Sequence, residues 1–356
     1  MTANRRILLS SPRTLEIAEA SMPVPRRGEL LLRVLKVGVC GSDMHLWGSG
    51  RIGRIKMKAP LVLGHECVAE VVEAPGGASG VTAGARVAVE PAIFCGTCRW
   101  CARGNTNLCP QTRTRFLGLP PTDGAMQEYI VHPAHLVVEL PRHISDNAAV
   151  MLEPMAIALH AVRLGKVAPG RRILILGTGV IGTSLLSLLG LYRGLQVVCV
   201  DLHDDRLRRA AALGATATVR AIDGRREDAA RDIREALGGE GADIVFECAG
   251  APDTLWNMCE TAGPGGHVII VGSSGDDAVL FSSGCARRSG LTMRFVRRSL
   301  ATLEPCIDLA MRGLVSPGEL VTHEFAAPAA AEAFEIVENV EDGVLKAVIN
   351  MRQWSG

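Results

Sequence analysis

Gly177-Thr178-Gly179-Val180-Ile181-Gly182 constrains the fold of this chain more than any other stretch. It follows RRILIL, an apolar run of strand length, and precedes TSLLSLLG, a segment of helix length. In that setting the first glycine of a GxGxxG permits a tight turn and the second lets backbone approach a pyrophosphate. The third allows close helix–strand packing, and the helix N-terminus, opened by Val180 and Ile181, then faces the phosphate charge. LQVVCVD ends in Asp201, about 20 residues on, where a carboxylate accepts hydrogen bonds from an adenine ribose. The alternation continues through DDRLRRAAALGA, ADIVFECAG and GGHVIIVGSS. Strands alternating with helices predict an α/β doubly wound parallel sheet that binds a dinucleotide.

The first 150 residues have a different period. ELLLRVLKVGVC, CVAEVVEA, ARVAVEPA and HLVVELP are short β-type runs separated by PRRGE, APGGASG and PPTDG. They predict a mostly antiparallel β region. The period loosens again after about 295, with helices in EPCIDLAMRG and APAAAEAFEIVENV. The 356 residues are 48% hydrophobic and 21% charged, enough for two cores, and the net charge of +1 gives no basic field for nucleic acid. MTANRRILLSSPRT has too short an apolar run for a signal peptide, and no later run reaches the roughly 20 residues of a membrane span. A cytoplasmic protein with no membrane or nucleic-acid partner is therefore expected. In a reducing compartment its eleven cysteines should not pair. Cys67, Cys199, Cys248, Cys259, Cys285 and Cys306 read as small buried hydrophobes.

Two groups of residues have metal-ligand character. Cys95, Cys98, Cys101 and Cys109 stand at spacings x2, x2 and x7. Cys40, in CGSDMH, and His65-Glu66, in GHE, supply a thiol, an imidazole and a carboxylate, the donor types of a zinc site that keeps an open position. Taken alone, a cysteine and a distant histidine fit a buried thiol and a core histidine equally well.

KVGVCGSDMHLWGSGRIGRIKMKAPLVLGHE resembles the zinc-containing medium-chain dehydrogenase/reductase family, and within it the polyol branch typified by sorbitol dehydrogenase. The likeness continues through DGAMQEYIVHPAHLVVELP, LEPMAIALHAV, GTGVIG and VTHEFAAPAAAEAFEIVENVEDGVLKAVI, and so covers nearly the whole chain. It implies a GroES-like, mostly β catalytic domain (1–155 and 295–356) interrupted by a Rossmann cofactor domain (156–294). It implies two zinc ions per subunit. The four cysteines would hold a structural zinc that leaves no position for substrate. Cys40 and His65 would hold a catalytic zinc, with Glu66 and Glu153 competing for the remaining position. Zinc would polarise the hydroxyl of a secondary alcohol, with Ser42 relaying its proton and His45 extending the relay or binding substrate.

The resemblance also assigns cofactor contacts to Gly177, Gly179, Val180, Ile181, Gly182, Asp201, Arg206, Val271, Gly272 and Ser273. Asp201 favours NAD over NADP, because a 2′-phosphate would meet like charge. Arg206 would pack against adenine, and Arg208 and Arg209 would lie on a solvated helix face. Leu46 stands where sorbitol dehydrogenases carry a tyrosine that contacts polyol. Arg298 retains an arginine of theirs, and Ser299 replaces a second tyrosine. Losing two phenolic hydroxyls leaves the substrate open among polyols, cyclitols, amino-sugar alcohols and other secondary alcohols. The rival readings are a zinc-independent quinone or enoyl reductase on the same fold and a non-catalytic NAD-binding protein. A homo-oligomer, tetramer or dimer, is expected through a strand such as HVIIVG or LTMRFV.

Overall fold

The computed structural model describes residues 3–76 and 80–354. It divides into two compact units, Met1–Glu153 with Leu303–Gly356, and Pro154–Thr302.

The first unit is built on a seven-stranded sheet. Val137–Glu139, Arg86–Val89, Glu66–Glu73, Glu29–Gly38, Ala347–Asn350 and His323–Ala326 follow one another across it, and Tyr129–Pro133 also pairs with Glu29–Gly38. Every pairing is antiparallel except that of the last two strands in the order, which is parallel. The C-terminal strand returns beside Glu29–Gly38, with Val348 opposite Gly38 and Ile349 opposite Val37. Thr14–Ala20, Asn4–Ser11 and Leu61–Val62 form a smaller sheet. Leu30, Leu32, Val34, Val37, Val71 and Ile349 fill the core between these elements and the helix Ala330–Asn339.

The second unit is a six-stranded parallel sheet in the order Ala217–Arg220, Gln196–Asp201, Arg172–Leu176, Ala242–Glu247, Ala262–Ile270 and Thr292–Phe295. In chain order this is 3-2-1-4-5-6, the doubly wound arrangement whose strand order reverses beside the first strand. Leu174, Val198, Val245 and Val268 are buried there, as continuous apolar runs in a sheet covered on both faces should be. This unit closes at Thr302 rather than at 294, because Thr292–Phe295 is the sixth strand and a boundary at 294 would cut it. At the other boundary the helix Leu152–Gly165 runs continuously from Glu153 into Pro154.

HVIIVG lies between two strands and has no free edge, whereas TMRF is the outermost strand. Among the described residues no helix is long and apolar enough to cross a membrane. None of the eleven cysteines is in a disulfide. Cys67, Cys199, Cys259 and Cys306 are buried, while Cys248 and Cys285 are only half-buried.

Candidate active site and cofactor site

The strand Glu29–Gly38 delivers the chain to Cys40, which caps the helix Gly41–Ser49. The neighbouring strand Glu66–Glu73 begins opposite Gly38, which brings His65 and Glu66 beside Cys40. The Cys40 thiol, a His65 ring nitrogen and a Glu66 carboxylate oxygen all lie within 4.8 Å of one another. His65 and Glu66 are 4% and 2% exposed. His65 Nδ1 is buried without a hydrogen-bond partner, and its ring packs 5.1 Å from that of Phe116. Burial pushes the Cys40 thiol well up, the Glu66 charge adds to this, and the Lys346 charge opposes it. A thiol, an imidazole and a carboxylate brought together with the imidazole and carboxylate buried are costly to desolvate. A divalent cation removes that cost, so the donor set fits zinc. Glu153 is outside the three-residue cluster, though its charge also raises Cys40 and Cys67.

Two residues that sequence reasoning missed hold this cluster in place. Asp43 is fully buried, and its carboxylate accepts the Cys40 N–H at 3.0 Å and the Gly64 N–H at 3.1 Å. It thus ties the two ligand-bearing segments together, 3.8 Å from His65 Nδ1. Burial raises its own pKa. Lys346, 1% exposed, donates to the Val39 carbonyl at 2.9 Å and pairs with Glu66 Oε2. Asp43 lies inside the quoted CGSD stretch, so its position was visible, but its burial was not.

Ser42 and His45 lie half-buried on the first turns of the helix Gly41–Ser49. Leu46 is a correction. It is fully buried on the face of that helix that packs, with Trp47, into the core, where Trp47 meets Phe334 at 5.6 Å. A side chain turned inward offers no surface to substrate. Arg298, in the second unit, is half-buried with φ 57, a left-handed conformation uncommon for a side-chain-bearing residue. Its neighbour Ser299 is buried.

The four-cysteine lobe is wound from three short 3-10 turns, Cys101–Arg103, Thr106–Leu108 and Pro110–Arg113. The Cys98–Cys101, Cys95–Cys109 and Cys95–Cys101 sulfurs are 3.6, 3.5 and 4.0 Å apart. Sulfurs about 2.3 Å from a tetrahedral zinc stand about 3.8 Å from one another, so the spacing fits. Backbone N–H groups of Thr97 and Cys98 hold the Cys95 thiol down to about 6, whereas burial raises Cys101 to about 12.

In the second unit the GxGxxG turn joins the strand Arg172–Leu176 to the helix Val180–Leu189. Gly177 has φ 92 and could not carry a side chain comfortably. A Cβ at Gly182 would overlap the Gly177 carbonyl oxygen, which is the close packing expected of the third glycine. Gly177, Gly179, Asp201 and Arg206 line a cavity of about 280 Å³. Asp201 Oδ2 accepts the Thr178 N–H at 2.8 Å and the Thr178 hydroxyl at 3.0 Å, and Oδ1 accepts the His203 N–H at 3.0 Å. Arg206 Nη1 is 3.8 Å from Asp201. Arg208 is exposed and pairs with Asp205, but Arg209 is half-buried, contrary to the solvated face expected for it. Val271 and Gly272 follow the strand Ala262–Ile270, and their N–H groups donate to the Glu247 carbonyl at 2.8 and 2.9 Å. Ser273 backbone sits against Gly250, where a Cβ would come within 2.8 Å of it.

A unit with a parallel dinucleotide-type sheet and a second, β unit with two metal-ligand clusters are the parts of a zinc dehydrogenase. Residues 26–142 match the alcohol dehydrogenase GroES-like domain, and 177–311 match the zinc-binding dehydrogenase domain. The chain belongs to the zinc-containing medium-chain dehydrogenase/reductase family, in its polyol branch, and is a zinc-dependent alcohol oxidoreductase. It is 31% identical to sorbitol dehydrogenase of Bacillus subtilis, over 94% of each chain. An alcohol dehydrogenase from Escherichia coli CFT073 complexed with NADH has a TM-score of 0.87 and 27% identity, over 98% of this chain and 99% of that one. A zinc-binding dehydrogenase of Sinorhizobium meliloti bound to NADP has a TM-score of 0.86 and 27% identity, over 98% and 100%.

Proposed function

We propose that this protein oxidises a secondary alcohol (a polyol, a cyclitol or an amino-sugar alcohol) to a ketone and passes the hydride to NAD. The observation that carries this reading is the buried cluster of Cys40, His65 and Glu66 in a chain whose other unit has the nucleotide-binding sheet. Zinc at such a cluster supplies Lewis acidity toward an alcohol oxygen. Cys40 and His65 are fixed donors, and Glu66 is the acid placed with them. Glu153 contributes charge. Ser42 takes the hydroxyl proton toward solvent, with His45 one turn further along the helix as the next acceptor or a substrate contact. Cys95, Cys98, Cys101 and Cys109 hold the second, structural zinc.

Solved relatives carry NADH in one case and NADP in another, so the choice of cofactor rests on this chain's own residues. Asp201 and Arg206 both line the cavity, with the Arg206 guanidinium 3.8 Å from the carboxylate. A 2′-phosphate would face the carboxylate. Gly177, Gly179, Val180, Ile181 and Gly182 receive the pyrophosphate at the helix N-terminus. Val271, Gly272 and Ser273 contribute backbone at the ends of the strands. Substrate preference differs from that of sorbitol dehydrogenases, since Leu46 is withdrawn into the core and only Arg298 of their polar contacts remains.

Self-association through the outer strand Thr292–Phe295 is part of this reading. Phe295 is 70% exposed and Leu280 85% exposed on the same unit. An outer strand with a free edge and an exposed aromatic invites pairing with a second copy, as a dimer or within a tetramer.

Zinc per subunit, measured alongside NADH absorbance across linear polyols, cyclitols and amino alcohols, tests the proposal. Two zincs and NADH formation are expected. One zinc or none, with reduction of quinones or enones, would establish the zinc-independent reductase instead. NAD binding without turnover of any alcohol would establish a non-catalytic binder.

A further inference from the structure

The proposed reaction gives Lys346 no role beyond its pairing with Glu66, yet it is among the most deeply buried charges in the first unit. Its ammonium group meets two acceptors, the Val39 carbonyl and Glu66 Oε2. Both acceptors adjoin the candidate zinc ligands: Val39 precedes Cys40, and Glu66 follows His65. The backbone repeats the link, since the Val39 N–H donates to the carbonyl of Ala347 at 3.0 Å. The Glu66 carboxylate lies over Gly38, where a Cβ would overlap Oε2. Glycine there leaves room for one particular oxygen of Glu66, Oε2, and lysine at 346 engages that same oxygen with its ammonium.

A purely structural role explains this poorly. Desolvating a lysine and a glutamate costs several kcal/mol per ion, and apolar residues in such places are often no less stable. What the ion pair does accomplish is to occupy one of the two oxygens by which Glu66 could hold a metal. We infer that Lys346 is a positioning residue that restricts Glu66 to one-oxygen ligation of the catalytic zinc and so keeps a coordination position available to the alcohol. This rests on the proposed zinc site at Cys40, His65 and Glu66. The lysine makes no contact with substrate in this account; it acts through Glu66.

Lys346→Met tests it. With the ammonium gone, both oxygens of Glu66 turn to the metal, and the unpaired carboxylate favours the loaded state over the empty one. Release of the catalytic zinc to a chelator should slow by about tenfold or more, the scale of outer-shell effects on metal sites. In the cobalt-substituted protein the visible d–d absorption should weaken as the coordination number rises. kcat for a working alcohol should fall, and Lys346→Arg should restore all three. A structural role predicts the opposite sign, with zinc lost faster. If Lys346→Met folds poorly, the comparison moves to the Glu66→Gln background, which removes the unpaired charge. There, adding Lys346→Met should leave zinc release unchanged, because the residue acts only through Glu66. Equal effects in both backgrounds, or an unaltered release rate and cobalt spectrum in the single variant, would overturn the inference. A parent protein that holds only the four-cysteine zinc would instead remove the catalytic zinc site, and this inference would fall with it.

Discussion

Replacing Asp43 by alanine should damage folding and metal retention together. The carboxylate is fully buried and accepts two backbone N–H groups, from Cys40 and from Gly64. Alanine leaves both donors buried without a partner, at about 1–3 kcal/mol each. Part of that loss is returned, because burial already disfavours the Asp43 charge. A net destabilisation of about 2–4 kcal/mol follows. The same two donors belong to the segments that carry Cys40 and His65, so loosening them misplaces two ligands at once. Catalytic zinc affinity should fall about 10- to 100-fold, the range for outer-shell changes. Asp43→Asn should fall between, since its amide oxygen can accept from one donor while its NH2 faces the other. Urea unfolding of the three proteins, with zinc content after dialysis, gives both quantities. If Asp43→Ala unfolds within about 0.5 kcal/mol of the parent and keeps its zinc, the bridging role assigned to this carboxylate is wrong.

Cys98→Ser should lose about one zinc per subunit and melt earlier or precipitate, since the binding energy of a structural zinc is also folding energy; a stable variant with both zincs and no activity would refute the structural assignment. The parent enzyme should prefer NAD to NADP by at least about tenfold in kcat/KM, roughly 1.4 kcal/mol. Asp201→Ala should erode that ratio by releasing Arg206 toward a 2′-phosphate, and an unchanged ratio would show that another group discriminates. His132, buried with Nε2 on the Glu90 carbonyl, has its pKa lowered by burial to about 4. The unfolded state therefore binds its proton first, so stability is fully present above about 6.5 and drains as pH falls toward 4, by about 3 kcal/mol in all. Acid unfolding of His132→Gln should be correspondingly less steep, and identical acid profiles would exclude His132 as a contributor.

How much of this was legible in the sequence depends on how far apart the interacting residues lie. The four cysteines and the GxGxxG turn declare themselves because each is complete within one short stretch, although the structural-zinc role comes from the family resemblance and the dinucleotide role from the strand and helix that flank the glycines. Asp201 was readable for a related reason, since a strand end after a known turn and helix has a fixed place in the sheet. Cys40 and His65 needed more than spacing. The sheet register that sets Gly38 opposite Glu66 is what makes them neighbours, and no local pattern encodes it. Asp43 has the sequence position of a helix-start carboxylate, and its second donor, Gly64, lies 21 residues away, beyond any local pattern. Lys346 was least visible, because VLKAVI reads as a strand with one polar residue and its partner Glu66 lies at the other end of the chain. Leu46 stands where relatives carry a substrate-contacting tyrosine, but here it is buried beside Trp47, which packs against Phe334 of a distant helix, and local sequence does not show that packing. The residues that aim the ligands act across segments distant in sequence: Asp43 joins Cys40 to Gly64, and Lys346 reaches Val39 and Glu66 from beside the C-terminal strand. It follows that variants of the aiming residues should separate metal affinity and geometry from the presence of the ligands themselves, which truncating a ligand cannot do.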